Sequence, residues 1–312
     1  MRELLEVWRN TRLIVQVAVT AALYAALLIP FKAVAVIIPG ITEIRPANAI
    51  PIVCALLFGP AAAWGSAFGN LIGDFFGTLG PGSIFGFIGN FLYAYVPYRV
   101  WGVYRLAGRK GDSWVPTTWS LAIFPLLAVG TMLVGLLIAV VLRGQHVIPY
   151  FVVSPSAVYA ASAALIAVTM ALVALTQNRE SAEFYLTVGL AALVCSIVIS
   201  WGAELLGVAP FKILSVAITL NNFVLASVLA PPLLKALYPR VRQWGLLYWQ
   251  TLEREPTAHS YRVTLGALLC WAGCAAALVI GLGVPAEEAT RMVIVTKVAP
   301  AIGVILLGVL LI

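Results

Sequence analysis

Residues 45–78 read RPANAIPIVCALLFGPAAAWGSAFGNLIGDFFGT. From Ala47 onward the stretch is apolar almost throughout, but Gly59-Pro60 interrupts it near the middle. Proline lacks the amide that a continuous helix uses, and a glycine before it suits a turn. Two short helices meeting at that turn are therefore predicted, not one long span. Beyond the break Gly65, Gly69, Gly73 and Gly77 fall at every fourth position. Such spacing lines one helix edge with bare backbone, and tight packing inside the molecule is its expected use.

On either side of this stretch lie apolar runs of the roughly 20 residues that a helix needs to cross ~30 Å of hydrocarbon. They occupy about 13–38, 83–104, 117–142, 155–176, 184–206, 212–237, 263–283 and 291–311. With the broken stretch they predict an all-α, polytopic transmembrane bundle of about ten helices. Composition agrees: of 312 residues 62% are hydrophobic and 10% charged, with a mean hydropathy of +1.02. No soluble domain, disordered chain or disulfide scaffold has that balance. Cys54, Cys195, Cys270 and Cys274 all sit inside apolar runs, away from His146 and His259, and read as small buried hydrophobes with no metal or cofactor to hold.

A net charge of +7 would suggest nucleic acid in a soluble protein, but in a membrane protein it reports loop orientation. With the N-terminus in the cytoplasm and ten crossings, 13 of the 19 basic residues fall on cytoplasmic ends, and Lys32, Arg45, Arg143, Lys212, Arg291 and Lys297 do not. Both termini are thus expected in the cytoplasm of a cell-membrane protein, with no nucleic-acid partner. The loops 105–116 and 239–262 are expected inside, and the second is the best domain boundary.

Polar groups inside hydrocarbon are costly unless paired or hydrated, so each is a candidate for function. On this topology Glu43, Arg45 and Asn48 belong to the first external loop and the start of the second helix. Asp74 and Glu204 lie near the outer ends of their helices, and Asn70, Asn90, Asn221 and Asn222 lie deeper. Arg45, Asn48, Asp74, Asn90, Asn221 and Asn222 are the predicted substrate-binding set, for a small, planar, polar or zwitterionic ligand. Asp74 would take its cation from Arg45 or from the ligand. Phe75, Phe85 and Phe91 are expected to wall the pocket, and Tyr93, Tyr95, Tyr98, Trp101 and Tyr104 to form an interfacial belt. Ala18, Ala22 and Ala26 make one face of the first helix nearly flat, suited either to docking a partner or to internal packing. No phosphate loop, metalloprotease motif, nucleophile elbow or aspartate cluster occurs, so the chain is read as no enzyme and no ATPase.

The run Arg45 to Gly65, with GNLIGD at 69–74, resembles the apolar A-L-L-F-G-P step and Gly-rich helix of substrate-binding S components of energy-coupling factor (ECF) vitamin transporters. Ala18, Ala22 and Ala26 are similar to that family's A-x-x-x-A motif, and Asn221-Asn222 with APPLLK at 230–235 is similar to its last helix. The resemblance implies an S-component-like core at 1–240. It implies uptake of a small water-soluble vitamin or related micronutrient, a coupling transmembrane subunit docked on the alanine face, and ABC-type ATPases as the energy source. Six helices are usual in that family, so 117–176 is read as an inserted hairpin, 241–262 as a cytoplasmic connection and 263–312 as an appended helical pair. The competing reading is a stand-alone secondary transporter or channel in which Asp74 or Glu204 titrates.

Overall fold

The computed structural model describes residues 2–34, 36–38, 42–43, 45–101, 179–253, 261–284 and 290–312. The expected hairpin at 117–176 and the loop at 105–116 lie outside the described residues. The chain is a bundle of apolar helices, and five of those described are long and apolar enough to cross a membrane. A short α1 (Arg2–Glu6) leads through a 3-10 turn into α2 (Thr11–Val34). The broken stretch forms α3 (Ala49–Phe58) and α4 (Pro60–Asp74), and α5 (Ser83–Val100) follows. After the undescribed residues come α6 (Arg179–Leu205), α7 (Phe211–Gln243), a single-turn α8 (Tyr248–Thr251), α9 (Tyr261–Gly283) and α10 (Arg291–Leu311).

Gly59 joins α3 to α4 with φ +56°, a conformation that side chains with a Cβ seldom take. A Cβ there would also lie 2.8 Å from the Tyr248 ring, so the turn is closed over by α8. At 10 and 15 residues, α3 and α4 rise only about 15 and 22 Å, too short for either to span hydrocarbon alone. They are held by their neighbours. α3 is wedged between α5 and α7, while α2, α4, α5, α6 and α7 pack in that order around it.

The glycine ladder makes the first of these contacts. A Cβ at Gly65 would fall 2.8 Å from the Val17 carbonyl oxygen, at Gly69 2.9 Å from that of Ala21, and at Gly73 on a Leu28 methyl. Three of the four ladder glycines thus seat α2 directly on α4. Among the described residues nothing lies within contact of a Cβ at Gly77. The pair α9 and α10 repeats the device, since Gly266 and Gly308 face one another so closely that a Cβ on either would lie 2.7 Å from the other's carbonyl oxygen. This pair leans on α6, where the Trp201 indole donates to the Val295 carbonyl at 3.2 Å.

Two boundaries differ from expectation. The first helix ends at Val34 instead of 38, because Val36-Ile37-Ile38 is β-branched throughout and pairs antiparallel with Thr42–Glu43, Val36 opposite Glu43. The 239–262 segment is not all loop: α7 continues through Pro239 to Gln243, and buried Leu247 and Tyr248 anchor α8 against the core. The tyrosines of α5 are not an interfacial belt either. Tyr93, Tyr95 and Tyr98 are buried, turned toward α7, Phe91 and Tyr248 respectively.

Candidate functional site

The two ends of α5 mark two ends of the bundle. At its C-terminal end the Arg99 guanidinium donates to Glu3 at 3.2 Å and to the Ile312 carbonyl, and Tyr98 also donates to Glu3. At its start, about 20 Å away by helical rise, a cavity opens. Its volume is about 100 Å³, and it is open at its mouth. Arg45, Asn70 and Asp74 of the α4 side, Ser83, Gly86 and Asn90 of α5, and Asn221 and Asn222 of α7 give it a polar wall. Ile199, Ala203, Val208, Leu214 and Ile218 give it an apolar one.

Five of the six residues of the predicted binding set line it, and Asn48 does not: it lies behind the wall, bonded to Asn222. Asp74 sits on the last turn of α4 and is buried. One carboxylate oxygen accepts from Asn70 Nδ2 at 3.2 Å, and the other accepts from Thr78 Oγ1 at 2.9 Å and from Lys32 Nζ at 3.1 Å. Arg45 reaches the same wall, its Nη1 donating to Asn70 Oδ1 and its backbone amide to Asn221 Oδ1, both at 3.3 Å. Gly86 keeps this corner open, since a Cβ there would lie 3.0 Å from Asn70 Nδ2.

Below the cavity floor the polar groups bond to each other. Asn48 Nδ2 donates to Asn222 Oδ1 at 2.7 Å, and Asn222 Nδ2 points to Cys195 Sγ at 3.5 Å. The Tyr24 hydroxyl lies 2.8 Å from Asn90 Oδ1 and 3.2 Å from Asn48 Oδ1, with one proton to give. Tyr93 donates to the Asn222 carbonyl at 2.9 Å. A buried network whose members satisfy one another is stiff, and it holds the asparagine side chains at fixed angles under the ligand space.

Several readings are corrected. The cation on Asp74 is Lys32, which hydropathy alone had placed as an external or embedded charge; both side chains are almost wholly buried, at 5% and 8% exposure. Phe75 is exposed, Phe85 packs on Gly202 and Trp201, and Phe91 packs on Trp64 and Tyr95, so none of the three walls the cavity. Glu204 is turned to the start of α7, where it accepts the amide of Phe211 and complements the helix dipole. Tyr24, Lys32 and Thr78 were not anticipated. A lysine inside an apolar run was the one available signal for Lys32, and the hydroxyl groups gave none. Ala18, Ala22 and Ala26 lie on the exposed side of α2, away from α4, and among the described residues nothing covers them.

Apolar helices carrying an embedded, half-polar cavity at one end define a membrane protein built to hold a small solute. A family model described as QueT transporter matches residues 14–178, more than half of the chain, and the chain belongs to that family, whose members are S components of the ECF type. It is a multi-pass membrane transporter component. The matched stretch carries Arg45, Asn48, Asp74 and Asn90; α6 and α7, which bring Cys195, Asn221 and Asn222 to the cavity, lie beyond it. Comparison with curated proteins finds no match, and comparison with solved structures finds none.

Proposed function

We propose that this chain captures a queuosine precursor, a planar deazaguanine-type base, from outside the cell and delivers it through a coupling subunit driven by ABC-type ATPases. Family membership supports the substrate class. The observation that carries the reading is the meeting of Arg45, Asp74, Asn90, Asn221 and Asn222 around one cavity, because a flat base with donors and acceptors along its edge needs such groups from several sides. Asp74 would accept from ring and exocyclic N–H groups, while Arg45 and the asparagine amides would serve the base's carbonyl. Asn48 braces Asn222 from beneath.

The mouth would face outward and the end holding Glu3, Arg99 and Ile312 would face the cytoplasm, in keeping with the basic loops. Ala18, Ala22 and Ala26 would dock the coupling subunit, for their face is flat and exposed beside Val15, Val19, Leu23 and Leu27. The stand-alone carrier finds less support, since Asp74 already holds a lysine and Glu204 a helix amide.

The test is uptake of labelled 7-deazaguanine by cells that express the chain with and without a coupling subunit and its ATPases. Uptake only with the full set, lost in Ala22→Leu while binding by the purified variant persists, is the expected result. Equal uptake by the chain alone would favour the carrier.

A further inference from the structure

Gly82, Gly86 and Gly89 fall at the start of α5, and each leaves room of a different kind. A Cβ at Gly89 would fall on the Ile199 side chain and lie 3.2 Å from the Cys195 carbonyl oxygen, so that glycine lets α6 pack against α5. A Cβ at Gly82 would meet nothing among the described residues. Gly86 is half-buried inside the helix, where glycine is a poorer helix former than alanine. Among the described residues a Cβ there would meet Asn70 Nδ2 at 3.0 Å and Asp74 Oδ2 at 3.6 Å, both on the cavity wall, and no part of a neighbouring backbone. Helix packing does not account for this glycine, and the cavity does.

We propose that Gly86 is a specificity-determining residue, whose missing side chain leaves the slot through which an exocyclic amino group on a flat base reaches Asp74. The inference rests on the substrate reading above and deepens it. Asp74 Oδ2 accepts from Asn70 Nδ2 at 3.2 Å, and a carboxylate oxygen can take a second donor. The space beside that oxygen is the space that a Gly86 Cβ would enter, so a methyl group there would stand in the ligand's place. Asn70 is not free to swing aside, because its Oδ1 accepts from Arg45 and its Nδ2 donates to Asp74. The Gly86 carbonyl accepts from Asn90 Nδ2 at 2.9 Å, which fixes the amide next to the slot. A base with an amino group on that edge gains a charge-assisted hydrogen bond, and the same ring without the group gains none.

The experiment is titration calorimetry on the full chain in mild detergent, with two flat probes, 7-deazaguanine and 7-deazahypoxanthine, which differ by the exocyclic amino group. Wild type should bind the first about tenfold or more tightly than the second, as one hydrogen bond to a charged group warrants. Gly86→Ala should lose that preference, its affinity for 7-deazaguanine falling about tenfold while that for 7-deazahypoxanthine stays within about twofold. Its melting temperature should hold level or rise, since alanine favours the helix. A Gly86→Ala protein that fails to fold, or that melts lower and loses both bases equally, makes the glycine a packing residue and overturns the proposal. An unchanged ratio in the folded variant, or a wild type indifferent to the amino group, overturns it too, and in these cases 7-deazaguanine binding by wild type leaves the substrate reading standing. Binding of neither base by folded wild-type protein overturns the substrate reading, and this inference with it.

Discussion

Two ladders of small residues run along neighbouring helices, and they meet opposite fates. Gly65, Gly69 and Gly73 of α4 are filled by α2, with backbone pressed to backbone at the first two and the Leu28 side chain at the third. Ala18, Ala22 and Ala26 of α2 look the other way and meet nothing among the described residues. Every-fourth spacing of small residues says that a helix can be approached closely, but not by what. What separates the two is the flanking sequence. Leu13, Val17, Ala21, Tyr24 and Leu28 form a continuous buried stripe on the side of α2 that meets α4. The alanines alternate with Val15, Val19, Leu23 and Leu27, all exposed. One ladder is used inside the fold, and among the described residues the other lies on its surface.

If that division holds, a leucine should be ruinous on one ladder and harmless to folding on the other. Gly69→Leu would drive a side chain into the Ala21 carbonyl and Tyr24, and overpacking of a close helix crossing costs about 3 kcal/mol or more. No monodisperse protein should elute on size exclusion in detergent. Asp74→Ala is next: removing one partner of a buried ion pair costs about 3 to 5 kcal/mol, because Lys32 stays behind. Thermal unfolding in detergent should show a large loss for it, and a smaller one for the double change with Lys32→Met.

The cavity should respond in affinity more than in stability. Asn221→Ala removes an acceptor of the Arg45 amide and a lining group, and should weaken binding of the base by about 1 to 3 kcal/mol in calorimetry. Ala22→Leu closes the series. It should leave melting within about 0.5 kcal/mol of wild type, as substitutions on unpartnered surface do, and leave ligand affinity unchanged while uptake stops. Loss of fold in Ala22→Leu would instead place that face inside the molecule.

Much of this was legible because hydrocarbon is an unforgiving solvent. Gly59-Pro60 announced the α3–α4 turn, since the chain had no other way to satisfy its backbone there. Asn48, Asn90, Asn221 and Asn222 stood out because an amide in lipid needs a partner; the first two and Asn222 are joined through one another and Tyr24, while Asn221 accepts the Arg45 amide. Pairing across distant sequence was less readable. That Lys32 and not Arg45 neutralises Asp74 depends on how far α2 extends, and α2 stops four residues short of the hydropathy limit at 38, where β-branching favours a strand. Aromatic positions misled for a related reason. Tyr93, Tyr95 and Tyr98 share a periodicity with lipid-facing belts, but their hydroxyls or rings are taken up by α7, Phe91 and α8.

On the proposed function, the cavity at the start of α5 would hold a deazaguanine-type base through Asp74 and the α7 asparagines. Mass spectrometry of the small molecule released from protein purified in mild detergent, out of cells grown with 7-deazaguanine, tests it most directly. Near-stoichiometric base is expected from wild type, and little from a folded Asn221→Ala, Asn222→Ala double variant. Equal amounts from both proteins, or an unrelated solute from wild type, would contradict it.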